Sequence, residues 1–261
     1  MPNAEQLITE HLDTWSSTIK AKSSAGRGGG KKQELYGIKK LRALILELAV
    51  RGLLVPQDPN DESASELLKK IATEKVTLVK EKQIKRPKKL PTINENEKFG
   101  KLPRSWQFVR LNDLGEWGAG ATPRRGESEL YGGVIPWFKS GELVGDYISE
   151  SAETVTELAL KKSSLRFNKT GDVLLAMYGA TIGKTSILSV PATTNQAVCA
   201  CTPFSGFSNI YLLTLLKAYR PRFINMGAGG AQPNISREKI INTVIALPPT
   251  AEQHRIVAKV D

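Results

Sequence analysis

The sequence predicts an α+β fold, in which a globular α/β unit of twisted, mostly antiparallel strands is preceded and followed by helical segments. Three observations predict it. Before residue 82 the apolar residues recur at three- and four-residue spacing, as on one face of a helix. After Trp106 the pattern changes to short β-favouring runs punctuated by glycine and proline. Between Gly171 and Val190 two apolar runs flank a small glycine-bearing turn with one lysine, the pattern of a β-hairpin.

Residues 3–22 are expected to form one helix: Asn3 caps it, with Gln6 three residues on, and Ile8, Leu12, Trp15 and Ile19 make a single seam. Residues 23–30, rich in serine and glycine, read as a flexible linker. A second helix over 34–51 places Ile38, Leu41, Ile45 and Leu48 in a three-four repeat, and Gly52 and Pro56 stop it. A third, over 63–82, opens on the capping box Ser63 to Glu66 and carries Leu67, Leu68, Ile71 and Leu78. These narrow stripes read either as an ordinary helical subdomain or as a surface that pairs with another helix. Residues 83–105 form a basic, proline-rich linker, read as solvated charge or as a phosphate contact.

The globular unit is assigned to residues 106–247. Trp106 to Leu111 alternates as a half-buried strand, residues 154–162 suggest a short helix, and 193–201 reads as a strand entered through Asn195 and Gln196. Residues 209–219 form an amphipathic helix, 226–235 an amide-bearing loop, and 243–247 a last strand. Pro248 and Pro249 end it, and Thr250 to Gln253 is a capping box opening a helix, with Ile256 and Val260, that is expected to continue beyond Asp261.

The net charge of +11 points to an acidic partner, most often nucleic acid. Residues 1–104 hold 21 Lys and Arg against 13 Asp and Glu, and the rest 16 against 13, so most of the excess precedes the globular unit. Cys199 and Cys201 share a strand face and are poorly placed to bond each other; nothing suggests a secreted, disulfide-bonded product. His11 and His254 lie at opposite ends without ligand-spaced cysteines or carboxylates, which argues against a zinc site. With no leader and no apolar run of membrane-spanning length, the expected location is the cytoplasm.

Four loops carry the candidate contacts. Residues 118–126 bring Thr122, Arg124 and Arg125, and residues 131–141 bring Lys139 and Ser140. Arginine suits bidentate contact to guanine or phosphate, although loop arginines read equally as solvated charge. The hairpin tip offers Tyr178, Thr181 and Lys184 to a polyanion, and the amide loop offers Gln232 and Asn234. Asn195 and Gln196 read as a turn and strand-edge pair or as adenine-reading amides. The tip also suggests a phosphate-binding P-loop, but only three residues separate Gly179 from Gly183, and the segment after Lys184 and Thr185 reads as a strand.

Together these motifs resemble the DNA-specificity (S) subunit of type I restriction-modification enzymes. The resemblance rests on Trp106, Gly120-Ala-Thr-Pro123, Tyr131-Gly-Gly, Ile135-Pro-Trp137, Gly179-Ala-Thr-Ile-Gly183, Asn195-Gln196, Pro248-Pro249 and Glu252-Gln253-His-Arg-Ile256. Residues 41–60 also resemble a helix-end motif that recurs in that family. The resemblance implies that 106–247 is a target recognition domain reading one half of an interrupted site in double-stranded DNA. The helices of 1–82 and 248–261 would then belong to a spacer that binds methyltransferase (M) subunits, with the restriction (R) subunit joining the complex. It implies a host-defence role, no catalysis and no cofactor in this chain, with S-adenosylmethionine, ATP and magnesium on the partner subunits. One recognition domain instead of two makes the chain either the first half of a longer protein or a half-length subunit.

Alternatives are a stand-alone P-loop nucleotide-binding enzyme and a DNA-binding regulator. A solo adenine methyltransferase is argued against, because Leu247-Pro-Pro-Thr250 lacks both the amide and the aromatic of the target-base motif. A regulator's recognition helix is expected to carry several Arg or Asn, whereas Lys217 is the sole Lys or Arg of 209–219. The partner-helix seam is Ile38, Leu41, Ile45, Leu48, Ile256 and Val260; left unpaired, it is expected to drive self-association or M-subunit binding. The tip itself yields one test. As a hairpin end it binds no ATP in equilibrium dialysis, and saturable micromolar binding lost in Lys184→Ala would contradict the hairpin.

Overall fold

The computed structural model describes residues 4–21, 33–87, 89–229 and 233–261. The chain begins with α1 (Ala4–Thr9), α2 (Leu12–Ser17), β1 (Lys20–Ala21), β2 (Gln33–Glu34), α3 (Tyr36–Val50) and α4 (Ala64–Lys80). Then come β3 (Gln107–Arg110), β4 (Gly115–Ala119), β5 (Tyr131–Phe138), β6 (Tyr147–Ile148), β7 (Thr154–Val155) and α5 (Glu157–Lys162). The hairpin strands are β8 (Val173–Ala176) and β9 (Thr185–Leu188), followed by β10 (Thr193–Thr194) and β11 (Val198–Pro203). The chain closes with α6 (Asn209–Gly227), α7 (Arg237–Ile241), β12 (Val244–Leu247) and α8 (Thr250–Val260).

The central sheet has the order β4-β11-β8-β9-β6, antiparallel except where β6 runs parallel to β9. Leu175 pairs with Thr185 and Val173 with Ile187, so the predicted hairpin forms in register. All of β8 and β9 is buried because both faces are covered. One face, with Val173, Leu175, Cys199 and Cys201, shares a core with Tyr211, Leu212, Leu216 and Phe223 of α6. The other, with Leu174, Ala176, Val198 and Ala200, packs on Phe138, Leu143 and Ile148. Burial on both sides explains the unbroken apolar run. The cysteines are free thiols on one face, and desolvation pushes Cys199 up to about 12. A smaller sheet, β10-β5-β7, flanks this unit, and β12 pairs antiparallel with β3.

Several expectations are corrected. The first helix breaks after Thr9 and its second piece ends at Ser17, where the hydroxyls of Ser16, Ser17 and Thr18 donate to carbonyls of the preceding turn and compete with helix continuation. Its cap Asn3, its end Lys22 and the linker of residues 23–30 lie outside the described residues. Ser63 precedes α4, yet its hydroxyl pairs with Ser65 and makes no capping box. Residues 154–162 divide into strand β7 and helix α5, with the Thr156 hydroxyl as N-cap. Residues 193–201 are two strands, β10 and β11, belonging to different sheets. Helix α6 runs past Pro221 to Gly227, and buried Phe223 explains why packing outweighs the proline.

The seam is not left unpaired. Ile45, Leu48 and Val260 pack against the main core, Ile256 has no exposed surface, and Ile38 and Leu41 are half-buried. Ala49, Val50, Leu67 and Ile71 belong to the same core as α6, so α3 and α4 are part of the body that carries the sheet. Lysine at Ile45 and Leu48 therefore probes the fold itself. Gly52 stops α3 at φ +69°, and a Cβ there would lie 2.6 Å from Pro103 Cγ, so the turn takes glycine for both backbone and space. The basic linker is also docked. The buried Arg110 guanidinium donates to Pro91 O, Thr92 O, Asn242 O and both oxygens of Glu97, and Phe99 stacks edge-on with Phe108.

The capping box expected at Thr250 is replaced by a network. Thr250 Oγ1 donates to Gly206 O, while buried Gln253 accepts from Ser208 N at 2.9 Å and donates to Pro248 O at 3.1 Å. The buried Glu252 carboxylate accepts from Trp106 Nε1 at 2.8 Å and Gln57 Nε2 at 2.6 Å. Arg255 makes a two-point ion pair with the well-buried Asp61. Glu252→Ala leaves two donors without their acceptor, which costs about 1–3 kcal/mol. Thermal melting at neutral pH should drop by roughly 3–10 °C. Desolvation raises the Glu252 pKa above its ordinary 4.5. Its contribution is therefore full below that ordinary value and falls as pH rises through the raised one, so the variant's deficit should grow on acidification. A melt unchanged at either pH would contradict the role given to Glu252.

Candidate nucleic-acid interface

Four loops meet at the end of the central sheet where β11 begins. Ala121 N donates to Thr194 O, Asn195 N to Phe138 O, Met177 N to Ala197 O, and Ile235 N to Met177 O. These backbone bonds join the arginine loop, the end of β5, the hairpin tip and the 233–235 segment into one continuous edge.

The arginine loop is fixed from behind. Trp137, 1% exposed, donates its indole N–H to Ala121 O at 3.0 Å, and the Tyr131 hydroxyl donates to Pro123 O at 2.6 Å. The Arg125 guanidinium lies 4.9 Å from the centre of each of these rings and donates from Nη1 to Glu153 Oε2 at 2.6 Å. Lys139 pairs with the other Glu153 oxygen and sits 5.6 Å from the Trp137 ring. Two cations thus share one carboxylate. Hydrogen bonds from Arg125 and then Lys139 hold the Glu153 carboxyl below its usual range, and the same bond to Glu153 raises Arg125. Arg124 projects differently: its side chain is 87% exposed and reaches Glu127 only at 3.4 Å.

The remaining predicted residues divide. Thr122 donates to the Gln196 side-chain oxygen across the loops, and exposed Tyr178 bridges to Asn234. The Thr181 hydroxyl donates to Tyr178 O at 2.6 Å, and half-exposed Ser140 opens a turn pinned by Glu142, which accepts from Lys139 N and Ala152 N. Asn195 accepts from Ala197 N, the side-chain turn its residue type favours. Lys184 is placed away from this cluster, lining a 430 Å³ pocket with Leu46, Asp146, Lys217 and Arg220. Gln232 lies outside the described residues. Sequence reasoning missed Glu153, 28 residues from Arg125. No local pattern signals it, because residues 154–162 read as a helix and strand β7, which pairs with β5, emerges only in the structure.

The P-loop reading fails on geometry. After Lys184 the chain enters strand β9, so the glycine turn is followed by no helix whose amides complete a phosphate cradle. Gly183, at φ +77°, instead packs its backbone on Arg220 of α6.

A fold of this kind with loops gathered at one sheet end is matched by a known family. The model of the type I restriction modification DNA specificity domain fits residues 103–261, and the chain belongs to that family. Among individual relatives, the type I restriction enzyme EcoEI specificity subunit of Escherichia coli is 40% identical over 272 residues, covering 97% of this chain and 43% of that protein. The EcoAI specificity subunit of Escherichia coli is 38% identical over 269 residues, covering 98% and 44%. The chain therefore spans under half the length of either. The crystal structure of the HsdS subunit from Thermoanaerobacter tengcongensis superimposes with a TM-score of 0.51 at 20% identity, covering 98% of this chain and 59% of that one, which establishes likeness of fold.

Proposed function

We propose that the chain is a sequence-specific DNA-recognition subunit of a type I restriction-modification complex, in which residues 106–247 read one half of a two-part site. The observation that carries this reading is the continuous loop edge with Arg124, Arg125, Lys139, Thr122 and Tyr178, in a chain whose relatives are specificity subunits. Arginine and amide side chains on one rigid edge suit a major groove, where base edges offer distinct donor and acceptor patterns. The chain itself catalyses nothing on this reading. Base modification and cleavage belong to M and R subunits, which bring S-adenosylmethionine, ATP and magnesium. The helical body of α3, α4 and α8 is the surface assigned to M-subunit docking, through its exposed faces and not the Ile45–Leu48 seam it buries. Among the described residues no helix is long and apolar enough to cross a membrane, which accords with a cytoplasmic complex acting on DNA.

Co-expression with type I methyltransferase subunits, followed by methylation-site sequencing of the host genome, tests this. The expected outcome is a stable complex and methylation at one recurrent site, both absent when the chain is omitted. Methylation at the same site without the chain would contradict the assignment.

A further inference from the structure

The Arg125 cluster distinguishes a base-reading arginine from a backbone-holding one; the inference rests on the DNA-recognition reading. Arg125 is held by two rings, each 4.9 Å away, and by Glu153 at 2.6 Å. Both rings are themselves tied by hydrogen bonds to carbonyls of the loop that carries Arg125. The guanidinium is therefore set in direction before any ligand arrives, while 54% of its side chain stays exposed. Arg124, 87% exposed, has one long contact, to Glu127, and among the described residues no ring to fix its direction.

Charge separates the two further. Arg125 and Lys139 are both paired to Glu153, so the cluster presents two positive groups around a carboxylate that is one-third exposed. The carboxylate offsets one of the two cations, so the cluster keeps a single net positive charge and draws less than two unpaired cations would on a phosphate's negative charge. A groove floor carries no such charge, and guanine offers O6 and N7 as the acceptor pair that an oriented guanidinium fits. Backbone phosphates line the duplex and carry no sequence information, so an outlying, exposed arginine suffices to meet one.

We propose that Arg125 reads guanine in a G·C pair of the half-site, that Glu153 is the positioning residue that aims it, and that Arg124 contacts the phosphate backbone. Glu153 touches the DNA reader and acts through it. Replacing its charge therefore degrades selection at one base pair without weakening binding to DNA at large.

The test uses the full chain co-purified with its methyltransferase subunit, selecting from a duplex pool with a randomised core, compared across wild type, Arg125→Lys, Glu153→Gln, Glu153→Asp and Arg124→Ala. The wild type is expected to enrich a motif with an invariant G·C position. Arg125→Lys loses preference at that position by roughly 5- to 150-fold and keeps the others. Glu153→Gln relaxes the same position while binding to non-cognate duplex holds or rises, and Glu153→Asp restores part of the preference. Arg124→Ala keeps the motif and lowers the salt slope by about 1. An unchanged motif in Arg125→Lys, loss of the G·C preference in Arg124→Ala, or uniformly weaker binding with an intact motif in Glu153→Gln would each overturn the assignment. Failure of the wild type to enrich any motif is a different result, and contradicts the DNA-recognition reading itself.

Discussion

Glu252, a carboxylate without solvent access, joins three segments far apart in the chain. It receives the indole N–H of Trp106 at the entry to the sheet domain and the amide of Gln57 between α3 and α4, from its own place in the first turn of α8. A buried charge is tolerated only where hydrogen bonds replace its water, and two here do so. Gln253 next to it fastens the start of α6, and Arg255 holds Asp61. Leu67, Ile71 and Ile256 bury apolar surface in the shared core, and these polar contacts fix which helix ends meet.

This node and the loop edge lie at opposite ends of β11. Its first residue, Val198, accepts from Gly120 N beside the arginine loop, while the segment just after Pro203 leads to Gly206, which accepts from Thr250. Six residues of extended chain separate the two by roughly 20 Å. One strand, buried through Val198 to Cys201, therefore spans from the helical body to the loop edge, and the exposed helix faces and the loops are different surfaces of one core. The positive excess follows a different layout. It concentrates before residue 105, whereas at the loop edge Glu153 offsets part of the charge of Arg125 and Lys139.

Periodicity made the hairpin, the 34–51 and 63–82 helices and the change from helices to strands near Trp106 legible, because each is a local pattern of apolar residues. The end of α2 at Ser17 was not, since Ser16, Ser17 and Thr18 compete for carbonyls in a way a seam does not record. Burial of the Ile45–Leu48 stripe escaped for a related reason: a half-buried helix face looks the same in sequence whether its partner is another chain or α6 and α8. At the recognition edge the residue types were readable and their pairing was not. Arg125 stood out as a loop arginine, but Glu153 joins it only through the β5–β7 pairing, and Lys184 turns to the α3–α6 side once the hairpin packs on Arg220.

The central claim is that the β11-entry edge faces DNA, and hydrogen exchange of the methyltransferase-bound chain with and without its cognate duplex tests it most directly. The account predicts slowed exchange over residues 121–131, 138–153, 178–181 and 194–197, with residues 85–104 and α8 unchanged. Protection confined to residues 85–104, with the loop edge exchanging as in free protein, would contradict it.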